Sequence, residues 1–289
     1  MRGTLLHDEP MSAHTSWRTG GTADRFFVPA DIDDLSTYLS QMDSLEKIYW
    51  VGLGSNLLVR DGGIRGTVIS VTAVLDDMKL HGAEIETGAG LTCAKAARFA
   101  AKNNLSGAEF LAGIPGTIGG ALAMNAGAFG GEIWDLVTSV KTIDRTGKIF
   151  NREVENFEVN YRSVKSPKNE YFVSARLLLK QGVTGTAKSN IRDLLSQRAE
   201  SQPIGAHSCG SVFRNPEGDF AARLIEECGL KGYRKGDAEV STKHANFIIN
   251  SGSASAEDIE TLIYLVQDKV EKKFNVRLET EVCIVGEIV

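Results

Sequence analysis

The chain has 289 residues, enough for about two domains of ordinary size. Hydrophobic residues make up 42% and charged residues 24%, which are normal proportions for a folded protein and exclude extensive disorder. The net charge is -5, which argues against a protein that wraps nucleic acid. No apolar run reaches the ~18 residues of a membrane span, and the N-terminus lacks a secretory pattern. We therefore expect a cytoplasmic protein.

Helix and strand patterns alternate through the first half of the chain. Regularly spaced apolar residues predict a helix over 31–42, and an Ala-rich stretch predicts another over 92–102. The sequence R-T-G at 145–147 marks the turn of a predicted hairpin. Further strands are predicted over 48–51, 68–71, 84–87 and 171–179.

The composition changes around 181–190 to Gly, Thr, Ser and Lys, so a domain boundary is expected there. Beyond it, Ile191, Leu194, Leu195 and Arg198 share a predicted helix face. The later predicted elements are a helix over 219–228 that ends at Gly229, a helix over 256–273 that begins with a Ser255–Asp258 capping box, and a terminal strand over 278–285.

Cysteine and histidine give no sign of a metal site. Cys93, Cys209, Cys228 and Cys283 are far apart, and no histidine stands at ligand spacing from them. Free thiols in a reducing compartment, without structural zinc, are the expected state.

Two glycine-rich segments stand out, at 52–63 and at 113–131, and the second contains seven glycines. Such loops can present backbone N–H groups to phosphate oxygens without obstruction by side chains. Neither segment has the G-x-G-x-x-G or the P-loop pattern. A tight turn would explain one such segment alone, but two in one domain favour a binding site for a large phosphorylated or planar ligand.

These segments, G-S-N-L-L-V-R-D-G-G and G-I-P-G-T-I-G-G-A-L-A-M-N-A-G-A-F-G-G, closely resemble the flavin-binding segments of the UDP-N-acetylenolpyruvoylglucosamine reductase (MurB) family. That family belongs to the vanillyl-alcohol-oxidase type of FAD proteins. The resemblance continues in the family's order through further motifs: H-T-S-W-R-T-G-G-T-A-D (14–24), Y-R-S (161–163), C-G-S-V-F-R-N-P (209–216), G-L-K-G-Y (229–233), K-H-A-N-F-I-I-N (243–250) and L-E-T-E-V (278–282).

The resemblance implies an α+β fold with a vanillyl-alcohol-oxidase-type FAD-binding region and a C-terminal α/β substrate domain. We place the FAD region at 1–185, in two lobes split near 65, and the substrate domain at 186–289, with its last strand returning to the flavin site. The implied reaction is the NADPH-driven reduction of the enolpyruvyl group of UDP-N-acetylglucosamine enolpyruvate to UDP-N-acetylmuramate, a peptidoglycan precursor. Noncovalent FAD is the implied cofactor, and no metal, nucleic acid, membrane insertion or obligate protein partner is implied.

The family match also implies three catalytic residues. Arg162 and Glu281 stabilise the enolate that forms after hydride transfer, and Ser211 protonates its C2. A guanidinium suits a carboxylate, whereas Glu281 can stabilise an anion only when it holds or shares a proton. Taken alone, each of the three is more often a surface or turn residue.

Further residues are assigned to ligands from the same match. FAD is expected at Gly54, Ser55, Asn56, Leu57, Pro115, Gly116, Thr117, Gly119, Gly120 and Gly127, largely through the backbone N–H groups of 54–57 and 116–120. The UDP-sugar is expected at Tyr161, Arg198, Asn215, Lys231, His244 and Asn246. A helix-surface charge at Arg198 and a turn cap at Asn246 are the structural alternatives.

The sequence departs from the family pattern at a few positions. Arg214 stands where lysine is usual, Cys209 where alanine is common, and Thr280 and Cys283 where proline and arginine are usual. The short span between Arg162 and Arg198 leaves no room for the tyrosine-bearing insertion of some members, so the chain resembles the shorter class.

Two other functions are compatible with parts of this pattern. One is an FAD oxidase of alcohols or sugars with a covalently tethered flavin. The other is a flavin-free module that binds UDP-sugars without catalysis, against which the presence of Arg162, Ser211 and Glu281 argues.

Overall fold

A computed structural model describes residues 1–289, which form helices and strands in a mixed α and β architecture. The α-helices are α1 (Ile32–Gln41), α2 (Cys93–Lys102), α3 (Ile118–Met124), α4 (Thr186–Ser201), α5 (Ala221–Glu227) and α6 (Ala256–Phe274). The strands of the first half are β1 (Thr4–Pro10), β2 (Thr22–Val28), β3 (Ile48–Val51), β4 (Leu57–Val59), β5 (Ile64–Ser70), β6 (Met78–His81), β7 (Glu84–Gly88), β8 (Leu105–Ser106), β9 (Gly127–Ala128) and β10 (Gly131–Glu132). Those of the second half are β11 (Val137–Asp144), β12 (Ile149–Glu153), β13 (Glu158–Asn160), β14 (Ser163–Lys165), β15 (Glu170–Leu178), β16 (Lys180–Gln181), β17 (Arg234–Lys235), β18 (Ala238–Val240), β19 (Ile248–Asn250) and β20 (Cys283–Val285). None of these helices combines the length and the apolar character that a membrane span requires.

The chain divides into two compact units. The first contains Met1–Leu6, Phe26–Leu53 and Val68–Arg198. The second contains His7–Arg25, Gly54–Thr67 and Ala199–Val289.

An antiparallel five-stranded sheet in the order β12-β11-β15-β7-β6 forms the centre of the first unit. The predicted hairpin is confirmed, because β11 and β12 pair directly across the R-T-G turn. Helix α2 buries one face of small residues, Cys93, Ala96, Ala97, Ala100 and Ala101, in the core of this unit. Such short side chains let the helix pack closely against its neighbours. A second sheet has the order β1-β2-β5-β3.

The second unit is built around α6. Its predicted apolar stripe is fully buried at Ile259, Leu262, Ile263, Val266 and Val270. The predicted capping box is present, with the Ser255 hydroxyl accepting from the Asp258 N–H at 3.0 Å. Gly229 follows α5 at φ +69°, as a residue just beyond a helix often does.

The compact units differ from the predicted ranges 1–185 and 186–289 because two early segments pack in the second unit. Trp17 is fully buried among apolar residues of that unit, and its indole N–H donates to the Ile248 carbonyl oxygen at 2.8 Å. The Asp61 carboxylate accepts from the Ala256 and Glu257 N–H groups at the start of α6, at 3.1 and 3.0 Å. Contacts between residues so distant in sequence leave no local signal.

Helix α4 places the C-terminal boundary of the first unit later than the sequence predicted. Ala187 and Ile191 are buried in the core of the first unit, and Leu195 packs against that core. The first unit therefore continues to Arg198, beyond the polar stretch that predicted a boundary near 185.

The predicted terminal strand over 278–285 is too long. Only Cys283–Val285 forms a strand, which pairs in parallel with Leu57–Val59. Just before it, the N–H groups of Glu281 and Val282 both point to the Val212 carbonyl oxygen, at 2.8 and 3.4 Å. Two donors on one acceptor break the regular alternation of a strand ladder.

Replacing Trp17 tests this division of the chain. Trp17→Ala should lower the free energy of unfolding by about 3–5 kcal/mol, because it empties a large buried volume. Urea denaturation measures this change, with Phe220→Ala as the control, since Phe220 is an exposed aromatic residue of the same unit. Equal, small effects of both substitutions would contradict the assignment of Trp17 to that core.

Candidate functional site

Arg162 occupies a two-residue turn between β13 and β14 in the first unit. Its φ of +52° is unusual for a residue with a side chain. The guanidinium donates to the carbonyl oxygens of Asn125 and Gly127, at 3.1 and 2.8 Å, and lies 5.0 Å from the centre of the Tyr161 ring. Two main-chain oxygens thus orient the cation.

Two residues that the sequence analysis did not select help to hold Arg162. Asn125 is buried at the C-terminal end of α3, and its side-chain N–H₂ donates to Glu132 at 2.7 Å and to the Asn160 carbonyl oxygen at 3.2 Å. The Glu132 carboxylate lies 3.5 Å from the Arg162 guanidinium. An asparagine before A-G in the second glycine segment was the available signal, because asparagine often ends a helix in the left-handed conformation.

Ser211 lies in the second unit between a tight turn and a buried segment. Gly210 before it has a φ of +72°, while Cys209 and Val212 on either side are buried. The Cys209 thiol donates to the carbonyl oxygens of Gly54 and Leu57, at 3.4 and 3.6 Å. Burial raises the pKa of Cys209 to about 12, so this thiol stays protonated at neutral pH.

Glu281 belongs to the same unit and is held by its main chain. Its N–H donates to the carbonyl oxygen of Val212, the residue after Ser211, at 2.8 Å. Its own carbonyl oxygen accepts from the Asn56 side chain at 3.0 Å, and the Asn56 carbonyl oxygen accepts from the Cys283 N–H, also at 3.0 Å. The fold therefore brings together the segments of Ser211 and Glu281 and the first predicted FAD loop.

The first unit has a cavity of about 190 Å³ beside the second glycine segment. A Cβ atom at Gly120 would meet only the Thr117 hydroxyl, at 3.5 Å, so this glycine leaves open space. The lining residues are mostly small or aromatic: Trp50, Val51, Gly52, Val71, Ala89, Thr117, Gly119, Gly120, Ala123, Ser166, Glu170, Tyr171 and Phe172.

Most of the backbone N–H groups of 116–120, which were expected to bind FAD, have acceptors within the protein. The N–H groups of Gly116, Ile118 and Gly119 donate to main-chain oxygens of the protein at 2.8–2.9 Å. That of Gly120 points to the Thr117 hydroxyl at 3.3 Å, because Thr117 caps α3. Gly116, Gly119 and Gly120 therefore offer a surface without side chains rather than a set of donors. Neither Gly54 nor Ser55, in the first loop, donates its N–H to an acceptor in the protein.

The remaining predicted FAD residues have different surroundings. Pro115 is exposed ahead of α3. Gly127 supplies the carbonyl oxygen that holds Arg162, and a Cβ atom there would lie 3.0 Å from the guanidinium.

Asn246 and Asn215 have structural partners. Asn246 is only 3% exposed, and its side-chain amide bonds to both the N–H and the carbonyl oxygen of Phe213. The polar atoms of the Asn246 side chain therefore face the protein interior, which favours the structural alternative for this residue. The side-chain Oδ1 of Asn215 accepts from the Ala221 N–H at the start of α5, at 3.1 Å, although Asn215 is exposed.

The other predicted UDP-sugar residues are accessible to different extents. Tyr161 and Arg198 belong to the first unit, where Tyr161 is 48% exposed and Arg198 is half-buried in the last turn of α4. Lys231 in the second unit pairs with Glu226 at 2.8 Å. Burial lowers the pKa of His244, and the charge of Lys231 acts in the same direction. The Nδ1 atom of His244 is buried without a hydrogen-bond partner.

Comparisons with known proteins find matches to one family over nearly the whole chain. The family model of the FAD binding domain matches residues 23–152, and that of the C-terminal domain of UDP-N-acetylenolpyruvoylglucosamine reductase matches residues 202–285. A relative of that name from Methylococcus capsulatus is 56% identical over 287 residues, covering 99% of this chain and 94% of the relative. One from Legionella pneumophila is 54% identical over 288 residues, again covering 99% and 94%.

A solved structure is similar as well. The crystal structure of UDP-N-acetylenolpyruvylglucosamine reductase (MurB) from Thermus caldophilus matches with a TM-score of 0.84 and 32% identity, covering 98% of this chain and 99% of that one. The chain belongs to the UDP-N-acetylenolpyruvoylglucosamine reductase family.

Proposed function

We propose that this chain is an NADPH-dependent FAD enzyme that reduces UDP-N-acetylglucosamine enolpyruvate to UDP-N-acetylmuramate, a precursor of peptidoglycan. Family membership over 99% of the chain supports this function. The structural observation that carries it is the Arg162 guanidinium, which two main-chain oxygens fix in a hairpin turn. A cation held this way is preorganised for a substrate carboxylate.

The residues present fit an FAD molecule. The cavity beside α3 is lined mostly by small and aromatic residues, and open space adjoins Gly120. The Gly54 and Ser55 N–H groups have no main-chain acceptor, and Ser55 is partly exposed, so this loop suits an anionic ligand such as a pyrophosphate. We assign FAD binding to this cavity and to residues 54–57. When bound, FAD would supply the redox chemistry, a hydride transfer between NADPH and the enolpyruvyl group.

The side chains of the protein manage the charge and the proton that accompany this hydride. Negative charge develops on C2 and on the adjoining carboxylate as an enolate. Arg162 pairs with that carboxylate, and Glu281 in its protonated form donates a hydrogen bond to the enolate. Ser211 donates its hydroxyl proton to C2, and the serine then regains a proton from solvent or a neighbouring acid. The product has gained one hydride and one proton.

The UDP-sugar is assigned to the residues that keep accessible polar groups. Lys231 and Arg198 offer cations for phosphate, and Tyr161, Asn215 and His244 offer further contacts. We place this enzyme in the cytoplasm, since its four unpaired cysteines suit a reducing compartment.

Substitutions at Gly120 test the FAD assignment, because a side chain at this position should raise the stability of α3, whereas a large one should weaken FAD binding. Gly120→Ala should stabilise α3 by up to about 1 kcal/mol. Gly120→Leu should weaken FAD binding about tenfold or more, since extra carbons in a packed site cost about 1–3 kcal/mol. Flavin absorbance after dialysis measures occupancy, and urea denaturation confirms folding. Full occupancy in a folded Gly120→Leu protein would remove this cavity from the FAD site.

Arg162 and Glu281 should act only after hydride transfer begins. Arg162→Ala and Glu281→Gln should leave flavin reduction by NADPH nearly normal. Each should slow reoxidation by the enolpyruvyl UDP-sugar about 100-fold, since a lost charge-stabilising group typically costs about 3 kcal/mol. Anaerobic rapid mixing separates the two half-reactions. Glu279→Gln is the matched control, because Glu279 is an exposed carboxylate two residues from Glu281. Equal losses in both half-reactions would indicate a structural role.

Ser211 gives the sharpest test of proton delivery. Ser211→Ala should reduce FAD normally and bind the UDP-sugar, but its reoxidation should collapse because alanine has no proton to donate. Ser211→Cys should recover part of the rate, since a thiol is a stronger acid of similar size. Ser253→Ala, in an exposed loop, controls for loss of a hydroxyl. A near-normal reoxidation rate in Ser211→Ala would remove Ser211 from the mechanism.

A further inference from the structure

Asn246 fixes the main chain directly after Ser211. Its side-chain carbonyl oxygen accepts from the Phe213 N–H at 3.0 Å, and its N–H₂ donates to the Phe213 carbonyl oxygen at 2.8 Å. Its main-chain carbonyl oxygen accepts from the Val212 N–H at 2.9 Å. One residue therefore makes three hydrogen bonds to the two positions that follow Ser211.

Val212 and Phe213 also contact the segment that contains Glu281. The Val212 carbonyl oxygen accepts from the Glu281 N–H at 2.8 Å and from the Val282 N–H at 3.4 Å. Phe213 also forms an isolated β-bridge with Thr280. A displacement of Val212 and Phe213 would therefore move the backbone of both Ser211 and Glu281.

The burial of this network makes it rigid. Asn246, Val212 and Phe213 are 3%, 0% and 2% exposed. Water cannot replace a lost hydrogen bond at such a depth without entering the apolar core, so an unpaired Phe213 group would force the segment to shift. A shift of about 1 Å at a reacting group can cost about 100-fold in rate.

We propose that Asn246 is a positioning residue that sets Ser211 and Glu281 for proton delivery to the enolate. This proposal rests on the proposed function. Asn246 does not contact the substrate; it acts through the backbone of Val212 and Phe213. Its substitution should therefore impair the step that uses Ser211 and Glu281 while UDP-sugar affinity is retained.

The chain offers a matched control four residues away. Asn250 is also buried, at 5% exposure, and belongs to the same unit. Its N–H₂ donates to the Trp17 carbonyl oxygen at 2.8 Å, and its side-chain oxygen accepts from the Gly252 and Ala254 N–H groups at 3.0 Å. Both asparagines thus bond buried main-chain groups, but Asn250 makes none of these side-chain bonds to the segments of Ser211 or Glu281.

The experiment compares Asn246→Asp with Asn250→Asp in the FAD-loaded protein. Each change keeps the size and one oxygen acceptor but places a second oxygen against a main-chain carbonyl. Both variants should unfold at lower urea concentration. Only Asn246→Asp should slow reoxidation by the enolpyruvyl UDP-sugar, by about 100-fold, with a larger solvent deuterium isotope effect because protonation becomes limiting. Flavin reduction by NADPH and the calorimetric Kd for UDP-N-acetylmuramate should match the wild type in both.

Three results would overturn the proposal: equal slowing of reoxidation in the two variants, an unchanged isotope effect in Asn246→Asp, or a weakened Kd with a normal rate at saturation. The last result would restore Asn246 as a substrate contact. Asn246→Ser, which keeps a donor and an acceptor on a shorter side chain, gives the same comparison if Asn246→Asp does not fold. Failure of the wild type to reoxidise with the UDP-sugar would instead contradict the proposed function.

Discussion

In the second unit, hydrogen bonds to and from a short buried stretch of main chain, Val212 and Phe213, hold the segments of Ser211 and Glu281. The Val212 carbonyl oxygen receives the Glu281 N–H, and the Asn246 amide pairs with Phe213 on both sides. Side chains that perform proton chemistry need fixed positions, but their polar groups must stay available for substrate. Holding them through neighbouring backbone satisfies both needs.

Arg162 in the first unit follows the same physical rule. Its guanidinium is oriented by the carbonyl oxygens of Asn125 and Gly127, and Asn125 in turn bonds Glu132 and the hairpin that bears Arg162. The two carbonyl oxygens fix the direction of the cation, and the Glu132 carboxylate lies farther away, at 3.5 Å. The glycine at 127 allows this approach, because a Cβ atom would crowd the guanidinium.

The glycine-rich segments thus serve packing as well as binding. In the second segment, most N–H groups of 116–120 are bonded within the protein, so the segment contributes shape, through Gly120 and its neighbours, rather than donors. In the first segment, Asp61 caps α6 and Arg60 pairs with Glu260 at 2.8 Å, which fixes the end of the loop that begins at Gly54. A motif associated with cofactor binding can therefore include residues whose hydrogen-bond or ion-pair partners belong to the protein itself.

The sequence by itself determined the local elements and the family. Periodicity and capping residues predicted α1, α2, α6 and the β11–β12 hairpin, because those signals lie within a few residues of one another. Only the tertiary structure decided that Trp17 and Asp61 belong with the C-terminal unit. It also decided that the predicted strand is interrupted where Glu281 and Val282 both donate to Val212, and that the buried Asn246 side chain bonds Phe213. These features depend on hydrogen bonds between residues that are 33 to 231 positions apart, and no local pattern encodes which distant carbonyl a given N–H will meet.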